Sequence, residues 1–405
     1  MSLRRLLGLR PAGLALPQWR KNQIAVTISG SFMNFGYTLV MSFLPIYVRE
    51  LGVESTGAIA LWSGLILSAS PLMAALMGPF WGRLGDRRGM KLIATRATAA
   101  NALLWFSMAF AHSVWQLFLL RVVLGILGGF TNVAVALVTQ LTPKEKVPSV
   151  IGTLQSWQIL SAAIGPLVGG ILATTIGVRN TFMFTGLVNF GSLLSILLLY
   201  RDEDIASPLK PAETGESSPR FWKRPEYFTA LMILFFVNMA DRTFGPIIPL
   251  FLEELGTPRV GLEMVAGVLI SAAAFGEAFS AWLSGKLASK ISLRRLITGR
   301  LILSIVVLLP MIAVQTTQQF SILRVMLALL AGGTLTLALS AAHHVIPSEH
   351  RGTGFALLSG TSMLGGAAGP ILAGGLAGVS IRAIFIANSI VYLLMIGFVY
   401  RNVRH

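Results

Sequence analysis

The chain has 405 residues, of which 54% are hydrophobic and only 12% charged, a balance that excludes a water-soluble globular domain, in which about a quarter of residues carry charge. Its net charge of +16 raises the question of a nucleic-acid partner, which the placement of the charges answers in the negative. Because there is no cysteine, disulfides, thiolate metal sites and cysteine nucleophiles are excluded.

Residues 1–22 read as a cytoplasmic tail, basic and broken by Pro11 and Pro17, with no small-residue cleavage site after its short apolar stretch. From residue 23 onward, apolar runs of about 20 residues, each enough to cross a hydrocarbon core of about 30 Å, follow one another. The predicted spans are 23–48, 59–82, 92–112, 115–140, 149–174, 181–200, 227–253, 262–286, 296–314, 319–342, 353–377 and 382–400. They are continuous and rich in Leu, Ala and Val, which specifies helices rather than the short alternating strands of a barrel. The expected fold is therefore an all-α polytopic membrane protein of twelve transmembrane helices.

Arginine and lysine crowd into alternate connections: the N-terminal tail, 83–96, 144–146, 201–224, 286–300 and the C-terminal end. The intervening connections hold only Arg49, Arg179, Arg259 and Arg382. This asymmetry predicts that both termini are cytoplasmic, and topology with anionic lipid accounts for the positive charge.

In chain order, the first span carries Asn34, Tyr37 and Thr38. The connection after the second span reads Gly82-Arg83-Leu84-Gly85-Asp86-Arg87-Arg88-Gly89-Met90-Lys91. Gly82 and Gly89 suit close packing and a tight turn, and Asp86 suits a helix N-terminus; alternatively the basic residues serve topology alone. Arg121 in the fourth span is costly in hydrocarbon unless it pairs, faces a cavity or snorkels to the interface, and Asn132 follows it. The fifth span holds Gln155, Trp157 and Gln158, then Gly165-Pro166-Leu167-Val168-Gly169-Gly170, where proline removes a backbone bond and glycines admit another backbone.

Residues 201–226, with five acidic residues and three prolines among them before Arg220, read as a flexible linker between bundles at 23–200 and 227–400; residues 401–405 form a second tail. Much of the first half recurs 203 or 204 residues later. LRVVLGILGG at 120–129 returns as LRVMLALLAGG at 323–333, and GPLVGGILA at 165–173 as GPILAGGLA at 369–377. Six spans per repeat give both copies one orientation, so two six-helix bundles should be related by a pseudo-twofold along the membrane normal.

The 82–91 loop and the Gly165-Pro166 motif are similar to signature sequences of the major facilitator superfamily, and within it the sequence resembles the twelve-helix drug:proton antiporters over nearly its whole length. The resemblance implies a conformational latch and hinge at Gly82, Asp86, Arg87, Gly89, Gly165, Pro166, Gly169 and Gly170, and implies export. It also implies a role in proton transfer for Arg121, whose repeat partner is Arg324. Ser289 replaces the aspartate in the second copy of the latch, and Ser161 stands where the antiporter signature has glycine.

Three more ionisable residues fall near the midplane: Asp241 and Arg242 in the seventh span and Glu277 in the eighth. A carboxyl at this depth is suited to carry a proton and to release it as Arg242 or a cationic substrate approaches. Because successive positions on a helix point about 100° apart, Arg242 is alternatively aimed at Glu277, and a structural ion pair without a transport role is the plainer reading. The repeat offset maps Asn238 onto Asn34, Asp241 onto Tyr37 and Arg242 onto Thr38. The expected substrate-binding set is Asn34, Tyr37, Thr38, Asn132, Gln155, Gln158 and Asn238, and the proton-coupling set Asp241, Glu277, Arg242 and Arg121. His343 and His344 lack further ligands at metal spacing and read as interfacial.

No phosphate-binding loop or nucleophile–base pair is legible, so the expectation is a non-enzymatic secondary transporter without cofactor or metal. It should act as a monomer in a bacterial inner membrane, exchanging amphipathic small molecules for protons. The same scaffold also suits a narrow-substrate importer or uniporter, or a transport-dead receptor.

Overall fold

The computed structural model describes residues 17–201 and 225–402, except 131–133, 136, 139–141, 289 and 347–350. The first half comprises α1 (Gln18–Leu39), α2 (Leu44–Glu50), α3 (Thr56–Arg88), α4 (Met90–Met108), α5 (Val114–Gly128), α6 (Val147–Ile176) and α7 (Val178–Leu199). The second comprises α8 (Pro225–Arg242), α9 (Ile248–Glu254), α10 (Leu262–Leu287), α11 (Leu293–Met311), α12 (Thr317–Ala331), α13 (Thr334–Val345), α14 (Arg351–Ala377) and α15 (Arg382–Asn402). Seven helical stretches among the described residues are, taken alone, long and apolar enough to cross a bilayer.

Local chemistry sets the boundaries. Ser55, Ser113 and Thr316 precede α3, α5 and α12, and each side-chain oxygen accepts a backbone N–H three residues on. Gly89, at φ +90°, makes the sharp turn from α3 into α4.

The first, fourth, seventh and tenth predicted spans depart from continuous helix, and the departures fall at matching places in the two repeats. Span one is interrupted at Val40–Phe43 and span seven between Arg242 and Ile248, each before a proline in the first turn of the next helix. Span four leaves helix at Gly129, and span ten pauses at Gly332-Gly333. Proline removes a helical donor and glycine has the weakest helix preference, so hydropathy, which sees only polarity, ran across both kinds of break.

Within the halves, α1 packs against α6 and α7, and α8 against α14 and α15; between them, α3 packs on α14 and α6 on α10. Small residues permit these approaches. A Cβ at Gly64 would strike the Pro370 carbonyl, one at Gly374 the α3 backbone at Leu61, and one at Gly170 or Gly267 the backbone of the opposing α10 or α6. The same motif also serves its own half: Gly165 and Gly169 face Thr38 and Leu39 of α1, as Gly365 and Gly369 face Phe235 and Met239 of α8. Along these helix pairs, hydrogen bonds join the halves from Ser68 Oγ to the Ala367 carbonyl at 2.5 Å and from the Leu167 amide to Ser271 Oγ at 2.9 Å.

At the end away from the basic loops, Arg49 donates twice to Glu253, at 2.6 and 3.2 Å, and Arg259 shares the same carboxylate at 2.7 Å. Arg49 and Glu253 are one repeat offset apart, so this clamp joins equivalent points of the two halves. Gly57 and Gly378 close the same end nearly backbone to backbone. The clamp and the glycine contact shut the bundle at this face.

Candidate functional site

Three helices carry four ionisable groups into the middle of the bundle. Asp241 and Arg242 lie on the last turn of α8, where the chain leaves helix; Glu277 lies midway along α10, and Arg324 in the second turn of α12. Arg324 Nη2 donates to Asp241 Oδ1 at 3.3 Å and to Glu277 Oε1 at 3.4 Å, so one guanidinium bridges carboxylates from two helices. Its Cζ stands 4.4 Å over the ring of Phe244, an arrangement that favours a cation in apolar surroundings.

Of the pairings that the sequence leaves open, an ion pair of Arg242 with Glu277 is not the one formed: both carboxylates pair with Arg324. The stem of Arg242 lies against Gly366 and Gly369 of α14, which lead the side chain along the boundary between two cavities and leave the carboxylates to Arg324. Arg324 entered the sequence reading only as the repeat partner of Arg121. Its signal was there, a second intramembrane arginine in a repeated motif, but which helix faces it presents depends on tertiary packing.

Of the alternatives open to Arg121, snorkelling is excluded. It is completely buried, among the described residues its guanidinium nitrogens have no hydrogen-bond partner, and it lies 4.5 Å over Trp105 and 5.9 Å over Tyr37. Ser70 fixes its backbone by donating to the Arg121 carbonyl at 2.7 Å.

A cavity of about 470 Å³ separates the halves, lined by Asn34, Tyr37, Thr38, Gln155 and Gln158 from one side and Asp241, Arg242, Glu277 and Arg324 from the other. A second, of about 340 Å³, shares Asn34, Tyr37, Gln158 and Arg242 with it and adds Asn238, Asn101 and Trp105. The polar groups are held in repeat-related pairs: Asn34 donates to the Gln158 carbonyl at 2.6 Å, and at the equivalent place Asn238 donates to Ser362 Oγ at 2.7 Å. Thr38 turns back to the Asn34 carbonyl at 3.0 Å, and the Tyr37 hydroxyl reaches the Leu67 carbonyl at 3.4 Å. The cavity wall thus offers amide and aromatic surface on one side and an internally compensated ionic cluster on the other.

Of the latch residues, Arg87 is exposed at the end of α3 and Gly89 makes the turn, while Gly82 meets no neighbour. The side chains of Asp86, His343 and His344, and Asn132 and Ser289 altogether, lie outside the described residues. Among the described residues, no cluster of three or more His, Cys, Asp or Glu suited to a metal ion is found.

The family model for the Major Facilitator Superfamily matches residues 26–317 and 230–405. Among curated proteins, the chain is 32% identical to the multidrug resistance protein MdtG of Yersinia enterocolitica serotype O:8, covering 93% of this chain and 91% of that one. It is 30% identical to MdtG of a Rahnella species, covering 94% and 93%. Among solved structures, a bacterial homolog of the human lysosomal transporter Spinster, inward-facing and occupied, superposes with a TM-score of 0.78 at 17% identity, over 96% of this chain and 98% of that one.

Proposed function

The chain belongs to the major facilitator superfamily, and from that premise we propose that it exports hydrophobic or amphipathic compounds in exchange for protons by alternating access. The observation that carries this reading is the pair of carboxylates, Asp241 and Glu277, bridged by Arg324 at the edge of a cavity between two pseudo-symmetric halves. The name of the MdtG relatives supports drug-like substrates.

The clamp at Arg49 and Glu253, which closes the end away from the basic loops, supports an inward-facing form, with the basic loops and both termini in the cytoplasm. From this form, substrate enters the cavity, and its arrival favours loss of a proton from Asp241 or Glu277 to the inside, the resulting charge being taken up by Arg324. After the halves rock about the close glycine contacts of α3 with α14 and α6 with α10, the cavity faces outward. A proton then returns to a carboxylate, weakens the hold of the site on substrate and frees it. Every step is movement of a proton or of a bundle, so the protein acts as a transporter without enzymatic chemistry, as a single chain in a bacterial inner membrane.

The test is dye extrusion by purified protein in oriented liposomes under an imposed proton gradient. Extrusion of several unrelated amphiphilic dyes, abolished by a protonophore, is the expected result. Saturable movement of a single solute without regard to the gradient would replace this reading with a narrow-substrate uniporter or importer.

A further inference from the structure

Behind the bridged carboxylates lies a third, small cavity of about 40 Å³. Asp241, Glu277, Arg324 and Phe244 line both it and the main cavity, so these groups form the partition between the two. Its far wall includes Tyr392 of α15, which is 3% exposed and whose hydroxyl makes no hydrogen bond among the described residues. Arg324 Nε is likewise buried and without a partner. From Arg324 the wall continues along Leu327, Ala331 and Leu335, successive turns that descend toward the basic end.

We propose that this chamber is a water-binding site that carries the transported proton between the carboxylate pair and the cytoplasmic side, by a route separate from the substrate cavity, with Tyr392 as its positioning residue. The proposal rests on the proton-coupled reading above. A buried water needs polar partners and roughly 10–15 Å³ of such space, so the chamber has room for about three waters. It offers donors at Arg324 and Tyr392 and acceptors at Asp241, Glu277 and the same phenol. A tyrosine hydroxyl sunk among leucines and alanines without a partner carries a desolvation cost that such waters remove.

In the transfer step, the O–H bond of the protonated carboxyl breaks as a chamber water takes the proton. The carboxylate left behind is held by Arg324, and the excess proton moves along the water file toward Leu335. A substrate filling the main cavity therefore does not obstruct the leaving proton. The charged and titratable groups facing Tyr392 across the chamber are Asp241 from α8, Glu277 from α10 and Arg324 from α12.

Two variants test this beside Asp241→Asn and Glu277→Gln. Tyr392→Phe keeps the ring and removes the hydroxyl, and Ala331→Leu fills the chamber with apolar volume. X-ray hydroxyl-radical footprinting of the wild-type protein should label Tyr392 despite its burial, because radicals arise from the bound water beside it, and Ala331→Leu should suppress that label. In proteoliposomes Tyr392→Phe should bind dye within about twofold of wild type yet exchange it for protons roughly tenfold more slowly, with a displaced pH profile. Unlabelled Tyr392, or a Tyr392→Phe protein with wild-type rate and pH profile, overturns the chamber. If Asp241→Asn or Glu277→Gln loses gradient-driven exchange in that same experiment, only the chamber falls; if both retain it, the proton-coupled reading falls as well.

Discussion

Arg121 and Arg324 occupy the same position in the two repeats and live in opposite circumstances. Arg324 bridges Asp241 and Glu277, whereas Arg121, completely buried, has only the faces of Trp105 and Tyr37. The repeat explains the contrast: the positions that carry the two acids in the second half hold Tyr37 and Ala74 in the first. One half lines the main cavity with amide, hydroxyl and aromatic groups, and the other with the bridged acids and arginines. Under the proposed function, two copies of one scaffold divide binding from coupling.

The largest expected effect comes from erasing the acids that make the halves different. Asp241→Asn and Glu277→Gln keep shape and remove ionisation, so gradient-driven flux in proteoliposomes should fall about 100-fold for at least one of them. Full flux in both would end the assignment of coupling to the second half. Next in size is the contrast between the arginines. Arg324→Ala leaves two carboxylates without their counter-ion and should cost about 3–5 kcal/mol of stability, whereas Arg121→Met deletes an unpaired cation and should cost little or raise the melting temperature in detergent. Equal losses would mean that Arg121 is compensated as Arg324 is.

A third comparison sets a glycine in backbone contact against one with open space around it. Gly64→Ala drives a methyl into the Pro370 carbonyl and should destabilise this form by about 1–3 kcal/mol, while Gly82→Ala, with open space around it, should leave its melting temperature unchanged. The smallest effect belongs to the half-exposed clamp: Arg49→Gln should weaken closure by about 0.2–1 kcal/mol, a modest gain in outward-facing population. Distance distributions between spin labels across that face would register it, and since the natural chain has no cysteine, labels can be placed without first removing any.

Much of this architecture is legible in the sequence because a bilayer imposes simple demands. Apolar runs marked where helices lie, and the repeat located both small-residue motifs whose glycines meet backbone in the structure. Asp241 and Glu277 stood out because a carboxyl in an apolar run has few innocent explanations. What hydropathy could not supply is rotation about a helix axis. Whether Arg242 or Arg324 turns toward the acids is decided by α14 packing against the stem of Arg242, a contact made by residues more than a hundred positions away. The breaks at Val40–Phe43 and Gly129 escaped for a related reason, since Pro45 and Gly129 interrupt geometry without interrupting polarity.

The clamp at Arg49 and Glu253 carries a consequence for how such a molecule arises. The two residues hold one and the same place in the repeat, so in a pair of identical half-length chains arginine would confront arginine there, or glutamate glutamate, and the face would be pushed apart. Attraction across that seam requires the two copies to be different and joined in a single chain, each free to acquire the charge its twin lacks. Fusion of the halves did more than tether them: it made a complementary seam available to a structure whose symmetric ancestor had none.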